Sequence, residues 1–305
     1  MCPATSWLSS YNGVMPELPE VETIRMGLGR LLLGLRVNNV SYDWPKAFPN
    51  TETDVNKFLI GATIINIRRR GKVIIIGLDT RYSILVHLKM TGQLVYVENS
   101  KVRFGAGHPS DSLVGSLPDK TTRVIFEFDK AKLFFNDQRK FGWVRLVPTT
   151  QIPEIDFFKK LGPEPLASDF TPAIFSARLD LRKGSSIKAA LLDQTVLAGV
   201  GNIYADESLF DAKIHPSTKV GDLTVSKRRQ LFKGLINVLN VSIEKGGSTD
   251  KNYVNATGKK GSYIDFAKVF RREGQPCLVC GATIIKTKVA GRGTHTCPVC
   301  QPDPR

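Results

Sequence analysis

With 305 residues, the chain is long enough for about two or three domains, each with its own core, and 42% hydrophobic against 23% charged residues is a globular balance. No apolar run approaches the roughly 18 residues that a membrane-spanning helix needs, which excludes that class. Lys and Arg outnumber Asp and Glu by 43 to 28, net +15, so a polyanionic partner leads and a generic basic enzyme or ribosome-associated factor comes second.

The first fourteen residues, MCPATSWLSSYNGV, carry no Lys, Arg, Asp or Glu. Lacking a basic start, a long apolar stretch and arginine, they are a poor secretory or transit signal. An intracellular, reducing setting is therefore the default expectation. After them comes MPELPEVETIR, whose continuation to about Leu33 predicts a helix led by Pro19, with Glu20 and Glu22 in the first turn.

Runs rich in β-branched and aromatic residues follow: ATIINIRRRGKVIIIGLD, YSILVHLKMTGQLVYV, TRVIFEFD, AKLFFND and FGWVRLV. Closely spaced strands of this kind predict a sandwich or barrel. The polar insert from Glu98 to Lys120 reads as an exposed loop. Prolines between Thr149 and Pro172 mark a boundary, beyond which helical periodicity predicts an all-α unit. Within that unit, LAGVGN places Gly199 and Gly201 between two helical patterns and Asn202 at the next helix start. Helix, glycine turn and helix have the outline of a DNA-binding hairpin, although many helical hairpins bind nothing.

Gly246 to Gly261 is polar and glycine-rich and reads as a loop, and the chain ends in a basic module. Between Lys251 and Arg305 ten basic residues face three acidic ones. Cys277, Cys280, Cys297 and Cys300 have the spacing C-x2-C-x16-C-x2-C, which suits a four-thiolate zinc site. Two disulfides or a redox dithiol are the alternatives. Zinc would order the hairpin from Gly281 to Thr296, a segment too small to be held by burial alone. Arg292 lies near its tip, either a solvated charge or a guanidinium aimed at phosphate.

These pieces, in this order, resemble the formamidopyrimidine-DNA glycosylase family. The match is carried by MPELPEVETIR, RRGK (Arg69 to Lys72), HLKMTGQL (His87 to Leu94), NDQRKFGW (Asn136 to Trp143), LGPEPL (Leu161 to Leu166), Ile187 to Phe210, YVNATGKKGSYI and the cysteine ribbon. It implies an α+β multidomain fold: a leader at 1–14, an N-terminal β-sandwich with a leading helix at 15–150, a helix-two-turn-helix unit with a capping loop at 151–262, and a zinc ribbon at 263–305. The implied partner is damaged double-stranded DNA, met by a monomer in the bacterial cytoplasm, with no membrane involved. The PELPE form resembles the branch acting on oxidised purines such as 8-oxoguanine; the endonuclease VIII branch, for oxidised pyrimidines, usually has PEGPE.

By the same resemblance Pro16 is the nucleophile, Glu17 the general acid, Lys72 the lysine at the lesion-flanking phosphate, and Arg292 the ribbon arginine that assists elimination. Attack at C1′ needs a free secondary amine. A model α-amino group, with a pKa of about 8 against 10.4 for lysine, offers on the order of 100-fold more free base near neutrality. Pro16 must therefore be N-terminal, and the leader is expected to be an upstream start chosen in error or, second, a removable extension. A zinc-ribbon DNA-binding protein with a blocked proline is the non-catalytic alternative, and an RNA-binding ribbon a third class. Met90, Arg139 and Phe141 match the trio that fills the void left by the flipped base. Lys183, Lys188 and Asn202 match polar DNA contacts, and 248–264 resembles the lesion-capping loop. The family's DPRRFG is DQRKFG here, with Gln138 and Lys140 substituted, and Thr121 stands where a DNA-contacting histidine is common.

Overall fold

The computed structural model describes residues 15–99, 102–108, 110–248 and 263–304. The leader at 1–14 and most of the expected capping loop, 249–262, lie outside the described residues. Helix α1 (Leu18–Leu31) starts as read, with Pro19 in its first turn and the Glu20 carboxylate accepting the Glu17 N–H at 2.9 Å. That bond satisfies a donor that the helix itself leaves free. Val21, Ile24 and Leu28 share one buried face at helical spacing and enter the main core.

Strand β1 (Asn39–Tyr42) and the one-turn helix α2 (Glu52–Asp54) precede eight further strands, all but β6 in the runs expected from sequence. These are β2 (Ile64–Arg70), β3 (Val73–Leu78), β4 (Tyr82–His87), β5 (Gly92–Glu98), β6 (Val102–Gly107), β7 (Thr122–Glu127), β8 (Ala131–Asp137) and β9 (Trp143–Pro148). They form two antiparallel sheets, ordered β1-β7-β8-β5-β6 and β2-β3-β4-β9. Ile74, Ile76 and Val86 of one sheet and Leu94, Phe126 and Phe135 of the other lie in a single core, so the unit is a sandwich.

The insert from Glu98 to Lys120 is not wholly a loop. Its first part is the edge strand β6, which pairs with β5 from Gln93↔Gly107 to Glu98↔Val102. Phe104 and Ala106, two residues apart, are buried in the sandwich, a period-2 signal too short to stand out beside the glycines. The remainder folds over the sheet's other face, where Leu113 packs with Val95 and Phe134.

After the short helix α3 (Asp156–Lys159) comes the helical unit: α4 (Pro172–Asp180), α5 (Ile187–Leu192), α6 (Asn202–Asp211) and α7 (Val225–Glu244). Hydroxyls of Thr171, Ser186 and Thr224 cap α4, α5 and α7 by accepting backbone N–H groups. α6 is buried from Ile203 to Phe210 and is the pivot of the molecule. Its start abuts α1, its flank packs on α7, and Phe210 joins Val269, Cys277, Ile284 and Cys297 in the ribbon's core. The ribbon is the hairpin β10 (Ile285–Val289) and β11 (Arg292–Thr296), turning at Ala290 and Gly291, both with positive φ.

Candidate active site

Pro16 and Glu17 are buried where the start of α1 meets the start of α6. The Glu17 carboxylate accepts the Ile203 N–H at 3.1 Å and the Tyr204 N–H at 3.5 Å, the free donors of the first turn of α6. Glycine is required for this approach. A Cβ on Gly201 would stand 2.2 Å from Glu17 Cδ, and one on Gly199, where φ is +84°, would stand 2.7 Å from Leu18 Cβ. The Leu18 N–H also donates to the Gly199 carbonyl at 3.0 Å. The glycine turn thus closes on this chain's own N-terminal helix.

Burial pushes the Glu17 carboxyl up to about 7, opposed by the positive charge of Lys72 and reinforced by Glu20. The same burial holds Lys72 below the usual lysine range; Glu17 and Glu20 oppose that shift, and Arg292 adds to it. These couplings place Glu17, Lys72 and Arg292 in one electrostatic neighbourhood. Lys72 is a turn residue of the β2–β3 hairpin, which Gly71, with φ +56°, makes possible between the paired Arg70 and Val73. Glu164 of the linker fixes that turn, accepting the Gly71 N–H at 2.5 Å and pairing with Arg69 at 2.6 Å and Arg70 at 3.1 Å. Two of the three adjacent arginines are therefore committed to carboxylates.

Glu20 ties three elements together. Besides the Glu17 N–H it accepts the Tyr204 hydroxyl and, at 2.6 Å, the Ser248 N–H, joining α1, α6 and the end of α7.

Arg139 and Phe141 are exposed on the β8–β9 connection, with the guanidinium 4.7 Å from the ring centroid, and Met90 is half-buried in the β4–β5 turn. Asp137 organises both turns. Its carboxylate accepts the Gly142 N–H at 2.6 Å, the Arg139 N–H at 3.2 Å and the Thr91 hydroxyl. His87 packs near Trp143 and accepts the Lys89 N–H at 3.0 Å, and burial pushes it down to about 3, so it is neutral at physiological pH.

Lys183 is exposed. Thr121 is half-buried and its hydroxyl donates to Asp119 at 2.7 Å. Asn202 donates to the Gly293 carbonyl at 3.0 Å, while its own Oδ1 is buried with no hydrogen-bond partner. Lys188 differs most from expectation. It is fully buried, its ammonium bonded to Asp206 at 2.5 Å, Thr294 at 2.8 Å and the Gly293 carbonyl at 3.0 Å.

The four cysteine sulfurs lie within 4.8 Å of one another. A zinc ion with Zn–S bonds of about 2.3 Å sets its sulfurs roughly 3.8 Å apart, and the pairs Cys277–Cys300 at 4.0 Å and Cys280–Cys297 at 3.4 Å bracket that value. Backbone N–H groups of Val279 and Cys300 point at Cys277 and Cys297 sulfurs, both at 3.4 Å, as the turn of a zinc knuckle requires. The cluster fits one structural zinc ion.

Three family models match in order: the formamidopyrimidine-DNA glycosylase N-terminal domain over residues 15–144, its H2TH domain over 161–253, and the zinc finger found in FPG and IleRS over 274–302. The chain belongs to the formamidopyrimidine-DNA glycosylase family. Glycosylases of that name from Desulfitobacterium hafniense and Listeria innocua are 38% and 40% identical to it, each match spanning 94% of this chain and all of the relative. Two Lactococcus lactis structures superpose over 94% of this chain and all of theirs at 35% identity. One, bound to DNA with an abasic site, gives a TM-score of 0.81; the other, bound to DNA with a formamidopyrimidine lesion, gives 0.80.

Against the family pattern, the residues missed from sequence are those that hold others in place: Glu164, Asp137, Asp206 and Glu207. Glu207 accepts three successive N–H groups, of Lys268, Val269 and Phe270, at 2.8–2.9 Å and so fixes the entry to the ribbon. Adjacent Asp206 and Glu207 in the mostly apolar IYADESLF are the signal that was available.

Proposed function

We propose that the chain removes oxidised purines, such as 8-oxoguanine and formamidopyrimidines, through a covalent intermediate on Pro16 and then cuts the strand by β- and δ-elimination. Family membership makes it a DNA glycosylase and lyase of base-excision repair, with damaged DNA as its partner. The residue roles and reaction course are our reading. The observation that carries it is the buried Glu17 carboxyl beside Pro16, held by the start of α6 and pushed up to about 7.

In this reading the lone pair of a free Pro16 nitrogen forms a bond to C1′ and the glycosidic bond breaks, its electrons leaving with the base, which ends with the proton that the Pro16 nitrogen sheds. Glu17 gives its proton to the sugar ring oxygen as the C1′–O bond opens, leaving an iminium between Pro16 and C1′. A carboxyl half-protonated near pH 7 suits that donation. The iminium acidifies C2′–H; loss of that proton expels the 3′ phosphate, and a second elimination expels the 5′ phosphate. Lys72 and Arg292 supply positive charge at the flanking phosphates, and water releases the sugar remnant. Zinc supplies no step and holds the strand that carries Arg292. Met90, Arg139 and Phe141 fill the space left by the extruded base, and Lys183, Asn202 and Thr121 contribute at the DNA-facing surface.

The chain acts, on this reading, as a monomer on DNA in a bacterial cytoplasm, with units at 15–150, 151–262 and 263–305. No helix among the described residues is long and apolar enough to cross a membrane. The deciding experiment is borohydride trapping on an 8-oxoguanine duplex, using protein whose intact mass shows that it begins at Pro16. A covalent complex is expected, and its absence would overturn the proposal. A panel of oxidised pyrimidines in the same assay tests the choice of lesion.

A further inference from the structure

We propose that Lys188 is a positioning residue for Arg292, acting through the ribbon strand rather than through DNA. The inference rests on the reading of Arg292 as the arginine that serves elimination.

Arg292 opens β11, next to a two-residue turn, on a hairpin of five-residue strands. A two-stranded hairpin of that length does not fix its own tip, so the arginine's placement must come from what grips the following residues. Each of the next three is gripped by the helical unit. The Gly293 carbonyl accepts from Lys188 at 3.0 Å and from Asn202 at 3.0 Å. The Thr294 hydroxyl accepts from Lys188 at 2.8 Å and donates to the Arg292 carbonyl at 3.0 Å. The His295 N–H donates to Asp206 at 3.0 Å, and Asp206 in turn pairs with Lys188 at 2.5 Å.

An ammonium has three N–H donors, and those of Lys188 are taken by Asp206, Gly293 and Thr294. With the side chain fully buried, no donor remains for a phosphate. The pair is also poorly explained as a source of stability, since two charges withdrawn from water gain little over a packed apolar pair. What it does provide is direction: a point charge from α5, locked by α6, aimed at the backbone one residue beyond Arg292.

The test is single-turnover product analysis on an abasic-site duplex, where β- and δ-elimination products are resolved. Because Lys188→Met alone strands the Asp206 charge, the paired variant Lys188→Met/Asp206→Asn removes both charges and keeps an acceptor for His295. Thr294→Val is the milder second variant. The expected result is a ratio of δ- to β-product at least tenfold lower in the paired variant, severalfold lower in Thr294→Val, with one zinc per chain retained and no further fall when Arg292→Gln is added. Equal loss of all steps, or loss of zinc, would overturn the proposal in favour of a purely structural pair. A salt dependence of duplex binding shallower by about one unit, with the product ratio unchanged, would overturn it in favour of a phosphate contact. If Arg292→Gln alone leaves the ratio unchanged, the reading of Arg292 fails first, and this proposal with it.

Discussion

Gly201 and Glu17 stand so close that a methyl group on the first would lie 2.2 Å from the carboxyl carbon of the second. The backbone at Gly201, with φ −134° and ψ −163°, is open to any residue, so the demand for glycine there is steric and comes from the acid. Gly201→Ala is expected to displace the Glu17 carboxyl and lower single-turnover base excision by about 10- to 100-fold, the scale on which misplaced reacting groups cost rate. Zinc content and undamaged-duplex affinity should hold. An excision rate within twofold of wild type would show that Glu17 has no such positional role.

Glu17 also sets a pH dependence. Its carboxyl sits at about 7 in the fold against an ordinary 4.5, mainly through burial. In the proposed role of proton donor it must be protonated, so base excision should fall about tenfold per pH unit above roughly 7. Stability follows the same sign: the folded state holds the proton more tightly than the unfolded chain, so the stabilisation is complete below pH 4.5 and is lost as pH rises through 7. Glu17→Gln removes the titration. It should slow excision by about 100-fold or more, flatten the alkaline limb, and narrow the difference in denaturant midpoint between pH 5 and pH 8. An alkaline limb that persists in Glu17→Gln belongs to another group.

Zinc removal should act on Arg292. The ribbon core is built on Cys277 and Cys297 with Phe210, Val269 and Ile284, so the metal holds together both the hairpin and its seat on α6. Zinc binding in small ribbons is worth on the order of 10 kcal/mol of folding free energy. The purified protein is expected to carry one zinc per chain, and Cys297→Ala to lose it together with at least about 100-fold of strand cutting. Full cutting by metal-free protein would separate the ribbon from the chemistry.

What the sequence disclosed was set by how local each signal is. The cysteine spacing, the proline-led helix and the long apolar strands each lie within a short window, 24 residues at most for the four cysteines, and each appears where read. β1 was not singled out, because NVSY keeps no side chain fully inside, and β6 was hidden among glycines. The site was legible as motifs but not as geometry. IKAALLD shows a lysine on a helix, and only the fold brings to it Asp206, 18 residues on, and Thr294, 106 residues on. The glycine turn was legible as a turn, whereas its partner, Glu17, lies more than 180 residues away along the chain.

Phe141 and Asp137 separate function from stability within one turn. Phe141 is 53% exposed, so its ring contributes little to the core, and Phe141→Ala should change unfolding free energy by no more than about 0.5 kcal/mol. Asp137 is buried and its carboxylate accepts from Gly142, Arg139 and Thr91, so Asp137→Ala strands the Gly142 N–H and the Thr91 hydroxyl, leaves the Arg139 N–H only its second acceptor, Thr91, and should cost about 2–4 kcal/mol. Both variants should lose lesion excision from duplex DNA, Phe141→Ala by removing the proposed wedge and Asp137→Ala by releasing the turn that presents it. Denaturant unfolding alongside single-turnover excision tells them apart. If Phe141→Ala excises the lesion at the wild-type rate, the exposed ring has no part in holding the base out of the stack, and the reason for its exposure lies elsewhere.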